Sequence, residues 1–454
     1  MTYYNNDTIC ALATATGGAL SIIRISGPDS LRIICSVCKS ITEATPPNTV
    51  TYTDIRDDEG NPIDDVMVSV FHSPHSYTGE NSAEISCHGS RYIASKIVSL
   101  LISHGCRQAL PGEYTQRAYL NGKLALDQAE AVADLIASTN AATHKLALSQ
   151  LRGNISSELA DLREKLLKLT SLLELELDFS DHEDLELADR SELLSLAKDI
   201  DDKITTLDRS FEAGKAIKEG VPVAIIGKTN VGKSTLLNRL LNDDKAIVSN
   251  IHGTTRDVIE DNTLINGVSF RFIDTAGIRD TSDEIERLGI ERTYKKIQEA
   301  TVILWLIDEQ PSKEELEEMA SLTLNKSLII VQNKIDILPE LDTDESLPFQ
   351  TIHISAKKGV GISQLENAIY KAANIPEITE NDTIITSARH YDALLRAHET
   401  FTRVIEAVNN NYSSDLIAED LRIVLSQLAE ITGKGIITPQ ETLNNIFSHF
   451  CVGK

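Results

Sequence analysis

Short apolar runs and leucine-spaced amphipathic stretches divide this chain into unlike regions. Val221–Ile226, Phe270–Ile273, Ser327–Gln332 and Thr351–Ile354 are strand candidates, the first an unbroken apolar run. Such runs predict strands buried on both faces, as in a parallel sheet. Residues 1–120 are mixed, with strands expected at Ser21–Ile25, Asp65–Phe71 and Glu84–Cys87 and a helix at Arg91–Ser103. From Asp127 to about Glu212, proline is absent and leucines recur at helical spacing, as at Leu159, Leu162, Leu166, Leu169 and Leu173. That pattern predicts long amphipathic helices, with a turn at acidic Asp178–Glu186. Helical periodicity resumes at Ser387–Asn409, Asp415–Ile431 and Pro439–Phe450.

Helix-rich segments therefore flank an α/β unit. The C-terminal one, about 75 residues, would fold alone only marginally. The expected architecture is multidomain α/β and α: a mixed α+β domain at 1–120, a discontinuous helical domain at 121–215 and 377–454, and an α/β domain inserted at 216–376.

Composition narrows the classes. The chain has 454 residues, 41 % hydrophobic and 24 % charged, as in a globular protein of several domains. It contains no apolar run long enough to span a bilayer, and Met1–Thr8 lacks the features of a secretory signal. Six cysteines do not make a disulfide framework in so long a chain; free thiols and a cytoplasmic location are expected. Cys35 and Cys38 form a C-x-x-C without a second pair nearby, which reads as an ordinary helix. The net charge of −25 argues against broad electrostatic gripping of nucleic acid; any RNA must meet a local basic patch or be held with a basic partner.

The chemistry starts after the first apolar run. Gly227–Ser234 reads G-K-T-N-V-G-K-S between a strand and the helical stretch from Thr235. Glycines there let backbone N–H groups wrap a phosphate, and the helix N-terminus adds partial positive charge. Gly227, Asn230, Val231, Gly232, Lys233, Ser234 and Thr235 form the loop; Lys233 reaches the β- and γ-phosphates and Ser234 can ligate Mg²⁺. Asp274-Thr275-Ala276-Gly277 follows the second run, with Asp274 placed for Mg²⁺ and the Gly277 N–H for the γ-phosphate. Thr255, in Gly253–Asp257, is expected to complete the Mg²⁺ shell when a γ-phosphate is present.

Asn333-Lys334-Ile335-Asp336 and Ser355-Ala356-Lys357 follow the last two runs. Asp336 can accept from guanine N1–H and N2–H₂, Lys334 can cover the ring face, and the Ala356 N–H can donate to O6. Adenine lacks those donors, so the pattern specifies GTP. Ile278 stands where many GTPases have the glutamine that orients water, so another group must do that work. Two candidates are carboxylates downstream in Ser282-Asp283-Glu284-Ile285-Glu286-Arg287; the same charges also read as a solvated helix start. Asn230 can help bind a monovalent cation or be a tolerated loop residue.

Beyond the GTPase motifs lie Asp7-Thr8-Ile9, Ile23-Arg24-Ile25-Ser26-Gly27, Ser76-Tyr77-Thr78-Gly79-Glu80, Cys87-His88-Gly89, Pro111–Leu124, Gln128-Ala129-Glu130-Ala131 and the ending Phe450-Cys451-Val452-Gly453-Lys454. With these blocks the chain resembles, over nearly all its length, the MnmE (TrmE) family of GTPases that modify tRNA uridines. The resemblance implies a folate-binding N-terminal domain that dimerises, a discontinuous helical domain and an inserted Ras-like P-loop GTPase domain. It implies a potassium-dependent GTP hydrolase working as a homodimer with the FAD-containing MnmG (GidA). Together these add a (carboxymethyl)aminomethyl-type group at C5 of the wobble uridine, position 34, of certain tRNAs. The one-carbon donor is 5,10-methylenetetrahydrofolate or a related reduced folate.

The same resemblance assigns roles by position. Asn230, Ser249, Ile251 and Thr254 match the potassium site, Ser234 and Thr255 the magnesium ligands, and Glu286 the glutamate that positions water. Arg24, Glu84, Lys123 and Lys454 match folate-holding positions. Two departures stand out: the Gly-rich insert is shortened to Thr14–Ala19, which bears on folate contact or dimer packing, and Thr229 replaces a common proline. Cys451 reads as a tail residue near the folate or as a nucleophile toward uridine C6. The alternatives are a ribosome-assembly or regulatory GTPase switch, which would not carry the outer blocks, and a folate-dependent transferase with a vestigial G domain, which intact Lys233, Ser234 and Asp274 oppose.

Overall fold

A computed structural model describes residues 7–178, 190–242, 261–273, 297–324, 326–337, 349–375, 382–410, 412–434, 438–448 and 450–453. The chain divides into two compact units: Met1–Ala137 with Gln150–Asp201 and Arg396–Lys454, and Ser138–Ser149 with Asp202–Leu395. Among the described residues no helix is long and apolar enough to cross a membrane.

The first unit is built on a six-stranded sheet. Its strands are β1 (Ile9–Leu12), β2 (Leu20–Ser26), β3 (Thr49–Arg56), β4 (Pro62–Phe71), β5 (Ser82–His88) and β6 (Arg107–Gln108), in the order β3-β4-β5-β2-β1-β6. All neighbours are antiparallel except β1 and β6. Alternating residues on β2, β4 and β5 (Ile23, Ile25, Val66, Val68, Val70, Ala83, Ile85) point to one face. There they meet Ile33 and Ile34 of the helix Ser30–Val37 and Ile97 and Leu101 of the helix Arg91–Ser103. The three expected strands occur within three residues of their predicted ends, and the helix Arg91–Ser103 occurs with the expected bounds. Weakly patterned β1, β3 and β6 were not legible. Cys35 lies in the helix Ser30–Val37 and Cys38 just past it; burial pushes the Cys38 thiol up to about 12, which disfavours a thiolate.

In the same unit the helix Asn154–Asp178 packs along Ser414–Thr432, far away in sequence. Leu159, Leu162, Leu166, Leu169 and Leu173 are all buried, as their spacing predicts. Leu126 and Ala129 pack with Leu443, Phe447 and Phe450. Residues 179–189, most of the expected acidic turn, lie outside the described residues.

The second unit holds β7 (Val221–Gly227), β8 (Asp261–Ile265), β9 (Val268–Phe272), β10 (Val302–Ile307), β11 (Ser327–Gln332) and β12 (Gln350–His353), ordered β12-β11-β10-β7-β9-β8. Only β8 is antiparallel to its neighbour. Along β10, Val302, Leu304 and Leu306 enter one core while Ile303, Trp305 and Ile307 enter another. Burial on both faces is why β7, β10 and the middle of β11 read as continuous apolar runs, whereas β9 alternates and β12 is half-exposed. Because β7, β10, β11 and β12 are parallel, the loops after them emerge on one edge, where open α/β sheets bind ligands.

Candidate functional site

The loop after β7 needs its glycines. Gly227 (φ 148°) and Gly232 (φ 101°) occupy backbone conformations that side chains disfavour. A Cβ on Gly227 would lie 2.4 Å from the Leu306 carbonyl oxygen, and one on Gly232 2.3 Å from Asn333 Nδ2. Asn230 is left-handed (φ 62°), a conformation asparagine tolerates better than most residues, and it is exposed. The helix Lys233–Asn242 begins directly behind, so its N-terminal amides face the loop. Lys233 Nζ reaches back to donate to the carbonyls of Gly227 (2.8 Å) and Lys228 (2.6 Å).

Asn333, just past β11, is 4 % exposed and joins three segments. Its Nδ2 donates to the Val231 carbonyl (2.8 Å), and its Oδ1 accepts from the Ala356 N–H (3.0 Å). The sequence reading gave that N–H to guanine O6; here it serves the loop clamp, because a buried amide side chain needs its acceptor filled. Lys334 takes a left-handed backbone (φ 68°) and its Nζ pairs with Asp308 at 2.7 Å. Asp308 follows β10, so the same sheet edge supplies the partner.

Asp336 accepts from the Ser355 hydroxyl at 2.8 Å. That bond, helped by the charges of Lys358 and Lys357, holds its carboxyl below the usual range, ionised and acceptor-only. Arg239, on the helix that starts at Lys233, donates to the carbonyls of Ala356 (3.3 Å) and Lys357 (3.0 Å). Sequence reasoning missed both Arg239 and Asp308. Arg239's one signal was a charge set among the buried Leu236, Leu237 and Leu240.

The structure thus brings together Gly227, Asn230, Val231, Gly232, Lys233, Ser234 and Thr235 on one loop and helix start. Asn333, Lys334 and Asp336 with Ser355, Ala356 and Lys357 form the facing pair of loops. Ser249, Ile251, Thr254, Thr255, Asp274, Thr275, Ala276, Gly277 and Glu286 lie outside the described residues.

The first unit gathers a second polar group. Arg24 on β2 and Glu84 on β5 are register partners, and the guanidinium Nε and Nη2 both reach Glu84 Oε1 (2.9 and 2.8 Å). Arg24 Nη1 donates to the Gly453 carbonyl (3.3 Å), and the guanidinium lies 5.5 Å from the ring centroids of Tyr77 and Tyr114. The tail is held by a bridge between Pro111 and Val452. Lys123 is not on Arg24; its Nζ donates to the Pro74 carbonyl (3.0 Å), in the segment leading to Tyr77. Lys454 lies outside the described residues.

Beneath this group three of the outer sequence blocks meet in one ion network, which the sequence did not disclose. Arg107 pairs with Asp7 (2.6 Å) and Glu113 (2.5 Å); Arg117 pairs with Asp7 (2.7 Å), Glu113 (3.0 Å) and Glu80 (3.2 Å). Burial alone would raise Glu113, but bonds from Arg107, the Leu110 N–H and Arg117 hold it below its ordinary value. Asp7 is held down likewise by Arg107 and Arg117 against its own burial.

A family model described as the GTP-binding protein TrmE N-terminus matches residues 8–123, and one described as the MnmE helical domain matches 126–451. A tRNA modification GTPase MnmE of Phocaeicola vulgatus is 50 % identical, covering 100 % of both chains. That of Bacteroides fragilis is 52 % identical over 99 % of this chain and 100 % of its own; that of Flavobacterium johnsoniae is 48 % identical with the same coverage. Among solved structures, the G domain of the T. maritima FeoB iron transporter aligns with 34 % of this chain and 98 % of its own, at 24 % identity and a TM-score of 0.26. On the family models and the full-length relatives, the chain belongs to the MnmE (TrmE) family of tRNA modification GTPases.

Proposed function

We propose that this protein hydrolyses GTP and, as a homodimer acting with an FAD-containing MnmG-type partner, takes part in adding an aminomethyl-type group to C5 of the wobble uridine of certain tRNAs. The observation that carries the nucleotide half of this reading is Asp336. Its ionised carboxylate accepts from Ser355, the residue before the Ala356 that Asn333 holds, on the sheet edge that also bears the phosphate loop. An acceptor-only group suits the N–H edge of guanine and leaves adenine unpaired.

Lys233 and the amides of the loop would hold the phosphates. Ser234 and Thr255 would hold Mg²⁺, whose charge offsets that developing on the β- and γ-oxygens. Ser234 fits, being a hard oxygen donor on the first helical turn behind the loop. Asn230, Ser249, Ile251 and Thr254 would hold K⁺, adding positive charge where an arginine finger acts elsewhere; the neutral amide of Asn230 suits such an ion. Glu286 would orient the attacking water.

Arg24, Glu84, Lys123 and Lys454 would hold a reduced folate that supplies the one-carbon unit. The Arg24–Glu84 pair offers donors and an acceptor to a pterin, and exposed Tyr77 beside it offers an aromatic face. The segments 1–120, 121–215, 216–376 and 377–454 are the corresponding modules, in a cytoplasmic protein. The test has two arms. GTP turnover should be faster in KCl than in NaCl and fall with Glu286→Ala; tRNA nucleosides from cells lacking the protein should lose the C5 modification. Equal rates in the two salts would remove Asn230 from the mechanism, and unaltered nucleosides would refute the modification role.

A further inference from the structure

We propose that Arg239 is a positioning residue for base recognition, acting on Asp336 through an unbroken line of hydrogen bonds. The proposal rests on the reading of Asp336 as the group that contacts guanine. Arg239 Nη2 donates to the Lys357 carbonyl at 3.0 Å. The other end of that planar peptide, the Lys358 N–H, donates to Ser355 Oγ at 3.2 Å, and Ser355 Oγ donates to Asp336 Oδ1 at 2.8 Å. Arg239 Nε also reaches the Ala356 carbonyl at 3.3 Å.

The peptide is planar, so bonds at both its ends restrain it as a unit; the Ser355 hydroxyl accepts from the Lys358 N–H and its proton is left for Asp336. Polarisation runs one way along the line, from the guanidinium to the carboxylate, and each bond strengthens the next. The planar fork presents Nε and Nη2 to two successive carbonyls in one fixed geometry, which a freely rotating lysine ammonium does not impose. The helix bearing Arg239 starts with Lys233 and Ser234, so one rigid element bears on the phosphate loop and on the base-reading carboxylate.

The experiment compares binding of GDP with that of IDP, which lacks the N2 amine, for the full-length protein and its Arg239→Ala, Arg239→Lys, Ser355→Ala and Asp336→Asn variants. Arg239→Ala should weaken GDP about tenfold, the value of one charge-assisted hydrogen bond, and IDP by clearly less. Ser355→Ala should narrow the GDP preference similarly and add little in the double variant. Arg239→Lys, which keeps the stem and charge, should recover part of the loss and guards against a folding defect. Equal weakening of GDP and IDP would mark Arg239 as merely structural and overturn the proposal, as would no change in either. If Asp336→Asn keeps the wild-type preference, the guanine assignment itself fails, and the proposal with it.

Discussion

Replacing Asn333 by alanine removes two buried hydrogen bonds at once. The Val231 carbonyl and the Ala356 N–H are left behind, on residues each only 1 % exposed. A buried backbone group without a partner costs about 1–3 kcal/mol, so the pair should cost about 2–6 kcal/mol. Part of this appears as instability and part as lost affinity, since the clamp ties the phosphate loop to the base-reading loop. Two kcal/mol felt in binding alone is a loss of about 30-fold. Gly232→Ala strikes the same clamp from the other side, because its Cβ would sit 2.3 Å from Asn333 Nδ2. In the Asn333→Ala background only the strain of alanine at φ 101° remains, about 1–2 kcal/mol. A double-mutant cycle should therefore show a double variant about 1–3 kcal/mol less damaging than the sum. The assay is GDP affinity together with the melting transition that GDP shifts, since a two-unit chain need not unfold in one step. The reasoning is refuted if Asn333→Ala costs less than about 0.5 kcal/mol or if the two effects simply add.

Asp336→Asn should shift preference from GTP toward xanthosine triphosphate, because the amide supplies the donor that the extra base carbonyl needs; competition binding measures it, and unchanged selectivity would rule Asp336 out as the base reader. Arg117→Met leaves Glu80 without its paired cation and Asp7 and Glu113 with Arg107 alone, and should destabilise the first unit by about 3–5 kcal/mol in urea unfolding. The same network gives a pH signature. Glu113 and Asp7 are held below their ordinary values of 4.5 and 3.8, so their stabilisation is present above those values and lost as pH falls through the lower folded ones. Urea midpoints at about pH 6 and about pH 3 should differ more for the parent than for Arg117→Met. Arg24→Ala releases both Glu84 and the Gly453 carbonyl; reduced-folate binding by calorimetry should drop at least about tenfold, and undiminished binding would take the folate away from this pair.

The parts of this protein that repeat along the chain were legible without coordinates. β7 and β11 read as strands because their central residues are apolar and buried on both faces. Leu159 through Leu173 read as one helix face because their spacing matches its turn. The phosphate loop and Asn333–Asp336 read as chemistry because their order and spacing are dictated by a phosphate and a base. β10 stayed unread although it too is an unbroken apolar run, since no motif marks its end.

Sequence thus determined the residue types that chemistry requires and the local elements whose period matches their burial. Tertiary structure alone decided which distant residues meet. Asn333 spends its amide on Val231 and Ala356, Arg239 crosses from one element to the carbonyls of another, and Arg117 gathers Asp7, Glu80 and Glu113. Such partners are fixed by strand order and by the need to satisfy every buried polar group. Neither leaves a period or a spacing along the chain.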